Sequence, residues 1–198
     1  MKIIGITGPT GSGKSLLTRI LTKKLPAAAI DCDKFTHSVL SENKECINEL
    51  SAEFGNGILN DNGSIDRKKL ANITFSSHEN THKLNEITHK YIISDMNRAI
   101  TDYENAGFKY LFIDGITLIE SGFVNRCDKF IAVIADKSTR LQRILKRDAV
   151  TITPIAAKER ISAQPEDEFY TKNADFVLTS DNEPDFIKQA NELSERFK

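Results

Sequence analysis

The sequence predicts an α/β fold: a parallel five-stranded sheet flanked by helices, with an all-helical segment inserted after the second strand and a helical lid. Three observations carry this. Short β-branched runs alternate with segments of helical period, and the chain opens on a strand–loop–helix–strand unit. The stretch 35–106 is almost entirely helical in pattern.

Lys2–Thr7 is a continuous β-branched run, the mark of a strand buried on both faces. A glycine-punctuated stretch, 8–15, follows. Residues 16–25 then carry apolar side chains at 16, 17, 20, 21 and 25, a helical period that Pro26 ends. Residues 27–30 form a second short strand arriving at Asp31, and the crossover between the strands should be right-handed.

Within 35–106 the helical pattern breaks at a turn-rich patch from Gly55-Asn56-Gly57 to Asn60-Asp61-Asn62-Gly63. Ser64 or Asp66 is placed to cap a short helix through Phe75. Ser76 or Ser77 is placed to cap a long one, with apolar residues at 84, 87, 91, 92, 96, 99, 100 and 103. These stripes read as core. Strand pattern returns at Tyr110–Asp114 and 130–135. A cationic helix over 137–148, a break at 151–154, a helix to about Gln164, a strand at 176–178 and a helix over 183–197 complete the chain.

At 198 residues the chain fits one domain, or one domain carrying a small insertion, and should bury roughly 70% of its unfolded surface. Hydrophobic residues at 39% and charged ones at 28% exclude collagen-like, low-complexity and wholly disordered classes. With 27 basic and 28 acidic residues the net charge is −1, so no whole-surface attraction to nucleic acid or anionic membrane is expected. No apolar run approaches the ~20 residues of a membrane span, and the first apolar stretch is too short for a signal peptide. Cys32, Cys46 and Cys127 have no metal-ligand spacing and suit a reducing cytoplasm. Four histidines show no zinc pattern beyond His78 and His82, expected on exposed helix surface.

The strongest chemical signal is Gly8-Pro-Thr-Gly-Ser-Gly13-Lys14-Ser15, which fits GxxxxGK[ST] between a strand and a helix. Gly8, Gly11 and Gly13 let backbone N–H groups, that of Ser12 among them, curl around a phosphate. The helix N-terminus that continues through Leu16 adds partial positive charge. Lys14 reaches β/γ oxygens and Ser15 can ligate Mg²⁺, which makes the sheet a P-loop NTPase-type core binding a nucleoside triphosphate with Mg²⁺. Asp31 and Asp33 stand at the C-terminal end of the second strand, where open α/β sheets place ligands. Asp33 either orients or deprotonates an attacking hydroxyl or caps the helix after it. Asp114 ends another strand, as a Mg²⁺-binding carboxylate acting directly or through water, or as a turn residue before Gly115. Between Lys137 and Arg160 seven basic residues face two acidic ones. Arg140, Arg143 and Arg147 share this segment, which suits a lid closing on triphosphate or a solvated helix face.

Together these motifs resemble the dephospho-coenzyme A kinase family across nearly the whole chain. The glycine loop and Asp31-x-Asp33-x-x-x-His37 are similar to its first two strand motifs. Ile58-Leu-Asn-Asp-Asn-Gly-Ser-Ile-Asp-Arg-Lys-Lys-Leu70 resembles the entry to its helical substrate domain. Ile87-Thr-His89, Asp114 through Glu120-Ser-Gly122, Lys146-Arg-Asp148, Arg160-Ile-Ser-Ala-Gln164 and Ala174-Asp175 follow in the family's order. The chain departs from the family pattern at Leu16, Ile116, Thr117, Lys90, Arg140, Pro165 and 179–182, mostly on substrate-facing loops.

The resemblance implies transfer of phosphoryl from Mg·ATP to the ribose 3′-hydroxyl of dephospho-coenzyme A, the last step of coenzyme A synthesis. It implies a nucleotide-binding core of 1–34 and 107–198, with a lid at about 148–165, and a helical acceptor-substrate (CoA) domain of 35–106. Lys14, Asp33 and Arg147 are the implied catalytic residues. Gly8, Gly11, Ser12, Gly13, Lys14, Ser15, Leu16 and Arg147 hold the donor, and Asp31, Asp33, His89, Asp114 and Arg160 face the acceptor. A cytoplasmic enzyme without nucleic-acid or membrane partners is expected, a monomer with an oligomer left open. Two other readings stay open: a nucleoside or nucleoside-monophosphate kinase of the same fold, and a non-catalytic nucleotide-binding switch. Against the switch, no Asn-Lys-x-Asp guanine-reading motif is present.

Overall fold

The structure, a computed structural model, describes residues 1–74, 76–115, 123–172 and 174–197. In chain order its elements begin with β1 (Lys2–Thr7), α1 (Lys14–Lys24) and β2 (Ala27–Asp31). Next come α2 (Cys32–Glu42), α3 (Lys44–Phe54), α4 (Arg67–Thr74) and α5 (His78–Asn105). The chain closes with β3 (Tyr110–Asp114), β4 (Lys129–Ile134), α6 (Lys137–Arg147), α7 (Pro154–Ser162), α8 (Asp167–Thr171), β5 (Phe176–Thr179) and α9 (Glu183–Glu195). Two compact units emerge, Met1–Asp31 with Tyr103–Lys198, and Cys32–Asp102.

The first unit is a parallel sheet of order β2-β3-β1-β4-β5. Its strands are rich in Ile, Val and Phe because both faces are covered; Ile4, Ile6, Phe112, Ile131 and Val133 are fully buried. Leu17 and Leu21 of α1, one helical turn apart, enter the same core as Phe186, Ala190 and Leu193 of α9. Each such side chain contributes about 1.5–3 kcal/mol by leaving water. β1 leads to β2 on one side and β3 leads to β4 on the other, so the C-terminal ends of β1 and β3 flank the switch point where such sheets bind ligands.

α1 starts at Lys14, earlier than the apolar period alone indicates, because Gly13 supplies its N-cap. It stops before Leu25, whose extended backbone suits the residue preceding Pro26. The strand anticipated at 27–30 runs on through Asp31. α7 begins behind Thr153, whose hydroxyl accepts the Ala156 N–H, with Pro154 in its first turn. α8 is a single short turn of five residues with no strong periodicity, and the sequence pattern had not marked it.

The second unit builds its own core from Val39, Cys46, Ile47, Leu50, Ile58, Ile65, Leu70 and Ile87. α2 and α3 part at Asn43, whose Oδ1 accepts the Cys46 N–H at 3.0 Å. The turn-rich patch closes tightly: Gly63 has φ 80° and donates to Asn60 O at 2.9 Å, and Leu59 bridges Ile65. Asp66 Oδ1 then accepts the N–H groups of Lys68 and Lys69 to start α4, and Ser77 Oγ accepts that of Asn80 at the start of α5. α4 ends at Thr74; Phe75, the end anticipated for it, lies outside the described residues.

Candidate active site

The loop between β1 and α1 is shaped by three glycines with positive φ: Gly8 at 142°, Gly11 at 79° and Gly13 at 100°. A Cβ on Gly8 would stand 2.0 Å from the Val133 carbonyl oxygen, and one on Gly11 would stand 2.9 Å from that of Arg140. Only glycine therefore lets the loop lie this close to β4 and α6. Lys14, 9% exposed, bends back over the loop and donates to Gly8 O at 2.9 Å and Pro9 O at 3.2 Å. The first turn of α1 leaves N–H groups that no carbonyl of the helix can satisfy, which makes this end a seat for phosphate.

Ser15 Oγ donates to Asp114 Oδ2 at 3.4 Å. In register, Asp114 stands beside Ile6 of β1 on one side and Asp31 of β2 on the other. Ser15, Asp114 and Asp31 thus share one end of three adjacent strands. A hydroxyl and a buried carboxylate beside an anion seat are hard oxygen donors of the kind Mg²⁺ takes, so the residues fit that ion.

The cationic helix behaves differently from the lid reading at two positions. Arg140 is 2% exposed; its Nε donates to Thr10 O at 3.0 Å and its guanidinium to Gln164 Oε1 at 3.0 Å. Arg143 donates to Gly11 O at 3.2 Å and to Ser180 Oγ and O. Both are spent on the loop's backbone from behind, so they are props of the loop rather than parts of a closing arm. Burial pushes the Arg140 guanidinium below its ordinary pKa, opposed by the charge of Asp167; an arginine still keeps its proton at neutral pH. Ser180 completes the set by donating Oγ to Ser12 O. The Oγ atoms of Thr7 and Ser12 are buried without a hydrogen-bond partner among the described residues.

Arg147 is 57% exposed and grips Asp148 through two bonds of 2.8 Å, while Arg160 reaches the same carboxylate at 3.7 Å. The structure thus gathers Arg147 and Arg160 around Asp148. Arg147 holds the Asp148 carboxyl below the usual range, and Asp148 in turn raises Arg147. Asp33 is exposed in the first turn of α2, one position inside the helix rather than at a cap before it. His89 is exposed on α5. Both belong to the helical unit. His82 is exposed and pairs with Glu86 at 3.3 Å. Ile116, Thr117 and Glu120-Ser-Gly122 lie outside the described residues.

Sequence reasoning passed over Gln164 and Ser180 as loop-holding residues. Their partners, Thr10 and Ser12, are 154 and 168 residues away, and no local pattern signals such a pair.

A parallel sheet whose central strand feeds a GxxxxGK[ST] loop, with a carboxylate at the neighbouring strand end, defines a P-loop kinase-like phosphotransferase. A family model described as dephospho-CoA kinase matches residues 2–185. A Fusobacterium nucleatum dephospho-CoA kinase is 36% identical over 197 residues, spanning 98% of this chain and 97% of the relative. The dephospho-CoA kinase structure from Campylobacter jejuni aligns with TM-score 0.72 and 27% identity, covering 100% of this chain and 98% of that one. The crystal structure of TT1252 from Thermus thermophilus aligns with TM-score 0.80 and 26% identity, covering 98% and 96%. The chain belongs to the dephospho-CoA kinase family.

Proposed function

We propose that this chain transfers the γ-phosphoryl of ATP to the ribose 3′-hydroxyl of dephospho-coenzyme A, giving coenzyme A and ADP. The observation that carries the reading is the glycine loop with Lys14 folded over it and Ser15 bonded to Asp114, in a chain of that family. Gly8, Gly11, Ser12, Gly13, Lys14, Ser15 and Leu16 hold the triphosphate, and Lys14 draws charge from the transferred group. Ser15 would hold Mg²⁺, with Asp114 reaching it through water, and the ion would supply positive charge against the phosphate oxygens. Residues 35–106 receive the acceptor, with His89 among its contacts, and 148–165 act as a lid carrying Arg160 to the phosphates, with Arg147 immediately before it. Asp31 supports the acceptor at the strand edge.

In the step itself, the 3′-oxygen forms its bond to the γ-phosphorus as the bond from that phosphorus to the β,γ-bridging oxygen breaks. Asp33 takes the hydroxyl proton. The protein works in this reading as a cytoplasmic monomer without nucleic-acid or membrane partners. Among the described residues no helix is long and apolar enough to cross a membrane.

Coupled ADP release with dephospho-coenzyme A against a panel of nucleosides and nucleotides tests the acceptor. Turnover with dephospho-coenzyme A is expected, and turnover with the panel alone overturns the proposal. Asp33→Asn should lower kcat about 10²–10⁴-fold; a wild-type rate would remove Asp33 from its role.

A further inference from the structure

Three consecutive carbonyls of the loop are each held by a side chain from a distant part of the same unit. Thr10 O accepts from Arg140, Gly11 O from Arg143 and Ser12 O from Ser180. At Thr10 the hold is double, because its N–H donates to Gln164 Oε1 at 3.0 Å and that oxygen also accepts from Arg140 at 3.0 Å. Thr10, Arg140 and Gln164 therefore close a ring around the backbone of one loop residue. Arg140 sits in that ring as a buried guanidinium with no carboxylate within 4.0 Å among the described residues. Asp167 and Glu166 offset its burial only in part, from beyond ion-pair distance, so a further anion nearby would compensate the buried charge. The loop one bond away is a seat for such an anion, and burial strengthens the attraction.

We infer that Arg140, acting with Gln164, is a positioning residue for nucleotide binding: it fixes the Thr10 backbone and lends the loop a buried positive charge. Arg140 touches loop backbone, not phosphate, so it acts through the loop. This rests on the reading that the loop holds ATP, and not on the identity of the acceptor. A lysine at this position would keep the charge but could not bond Thr10 O and Gln164 with one planar fork.

The test measures ATP affinity by equilibrium titration without acceptor, then KM for each substrate, on Arg140→Met and Gln164→Ala. Thermal melts verify that each variant folds. Arg140→Met should weaken ATP about 10- to 100-fold and Gln164→Ala about 10-fold, as expected for bonds involving a charged donor. The acceptor KM should stay within about twofold, and the double variant should be no weaker than Arg140→Met alone, because both changes break the same hydrogen-bonded ring at Thr10. Unchanged ATP affinity in the folded variants, or an acceptor KM rising in parallel, overturns the inference. If Arg140→Met does not fold, the half-buried Gln164→Ala decides. A wild-type chain that binds ATP but leaves dephospho-coenzyme A untouched overturns the proposed acceptor and not this role.

Discussion

Lys14 and Gly8 illustrate how a few atoms set the chemistry of the loop. The lysine ammonium bonds the Gly8 carbonyl at 2.9 Å, while the Gly8 Cα lies so close to β4 that any Cβ would meet the Val133 carbonyl oxygen. That oxygen belongs to strand backbone and cannot swing away as a side-chain end can. Gly8→Ala should therefore cost about 1–3 kcal/mol in stability from the forced backbone alone and lower ATP affinity by at least about 10-fold. Calorimetric melts and nucleotide titration check both numbers. Glycine spacing, the lysine and the following serine were all legible because the loop's geometry is decided within eight neighbouring residues. Arg140 was legible only as a charge. Its burial depends on Thr10, 130 residues earlier.

Helix ends carry the next level of information. Thr153 before Pro154 starts α7, and Asn182 starts α9 by accepting the Asp185 N–H at 3.1 Å. Thr153→Ala should cost about 1 kcal/mol, read as a shift in the denaturation midpoint at constant slope. Between α6 and α7 Asp148 holds Arg147 and Arg160 together. Its carboxyl is lowered by Arg147, so its stabilising contribution is present above the ordinary carboxylate pKa of about 3.9 and is lost as pH falls through the lower folded value. The melting-temperature gap between wild type and Asp148→Asn should accordingly be present at neutral pH and close as pH falls below the ordinary carboxylate range. Caps such as Asp66 and Ser77 could be placed from sequence because capping reaches only three residues ahead. The single turn of α8 escaped notice because five residues are too few to show a period.

At the scale of the whole molecule, two separate cores stand in one chain: Ile4, Phe112 and Val133 with their neighbours in the sheet unit, Leu50 and Ile58 with theirs in the helical one. Leu50 is fully buried, so Leu50→Ala should destabilise the helical unit by about 2–5 kcal/mol. Native-state hydrogen exchange should show that loss in α3–α5 amides while β1, β3 and β4 keep their protection, since Leu50's cluster is drawn from the helical unit and those strands belong to the sheet unit. Loss of protection spread equally over the sheet would show that the two cores open together.

What sequence alone determined about this protein is whatever depends on near neighbours or on period. That covers five strands, most of the helices around them, the glycine loop, caps such as Asp66 and Ser77, and an ordered motif series specific enough to indicate the family. What only the tertiary structure decided is which distant side chains meet. Ser15 finds Asp114, Arg140 and Gln164 enclose Thr10, Arg143 and Ser180 hold Gly11 and Ser12, and Arg147 and Arg160 gather on Asp148. The reason is physical. A cationic helix has the same sequence pattern whether its arginines face solvent or are buried, and only strand order and helix packing determine which groups they reach.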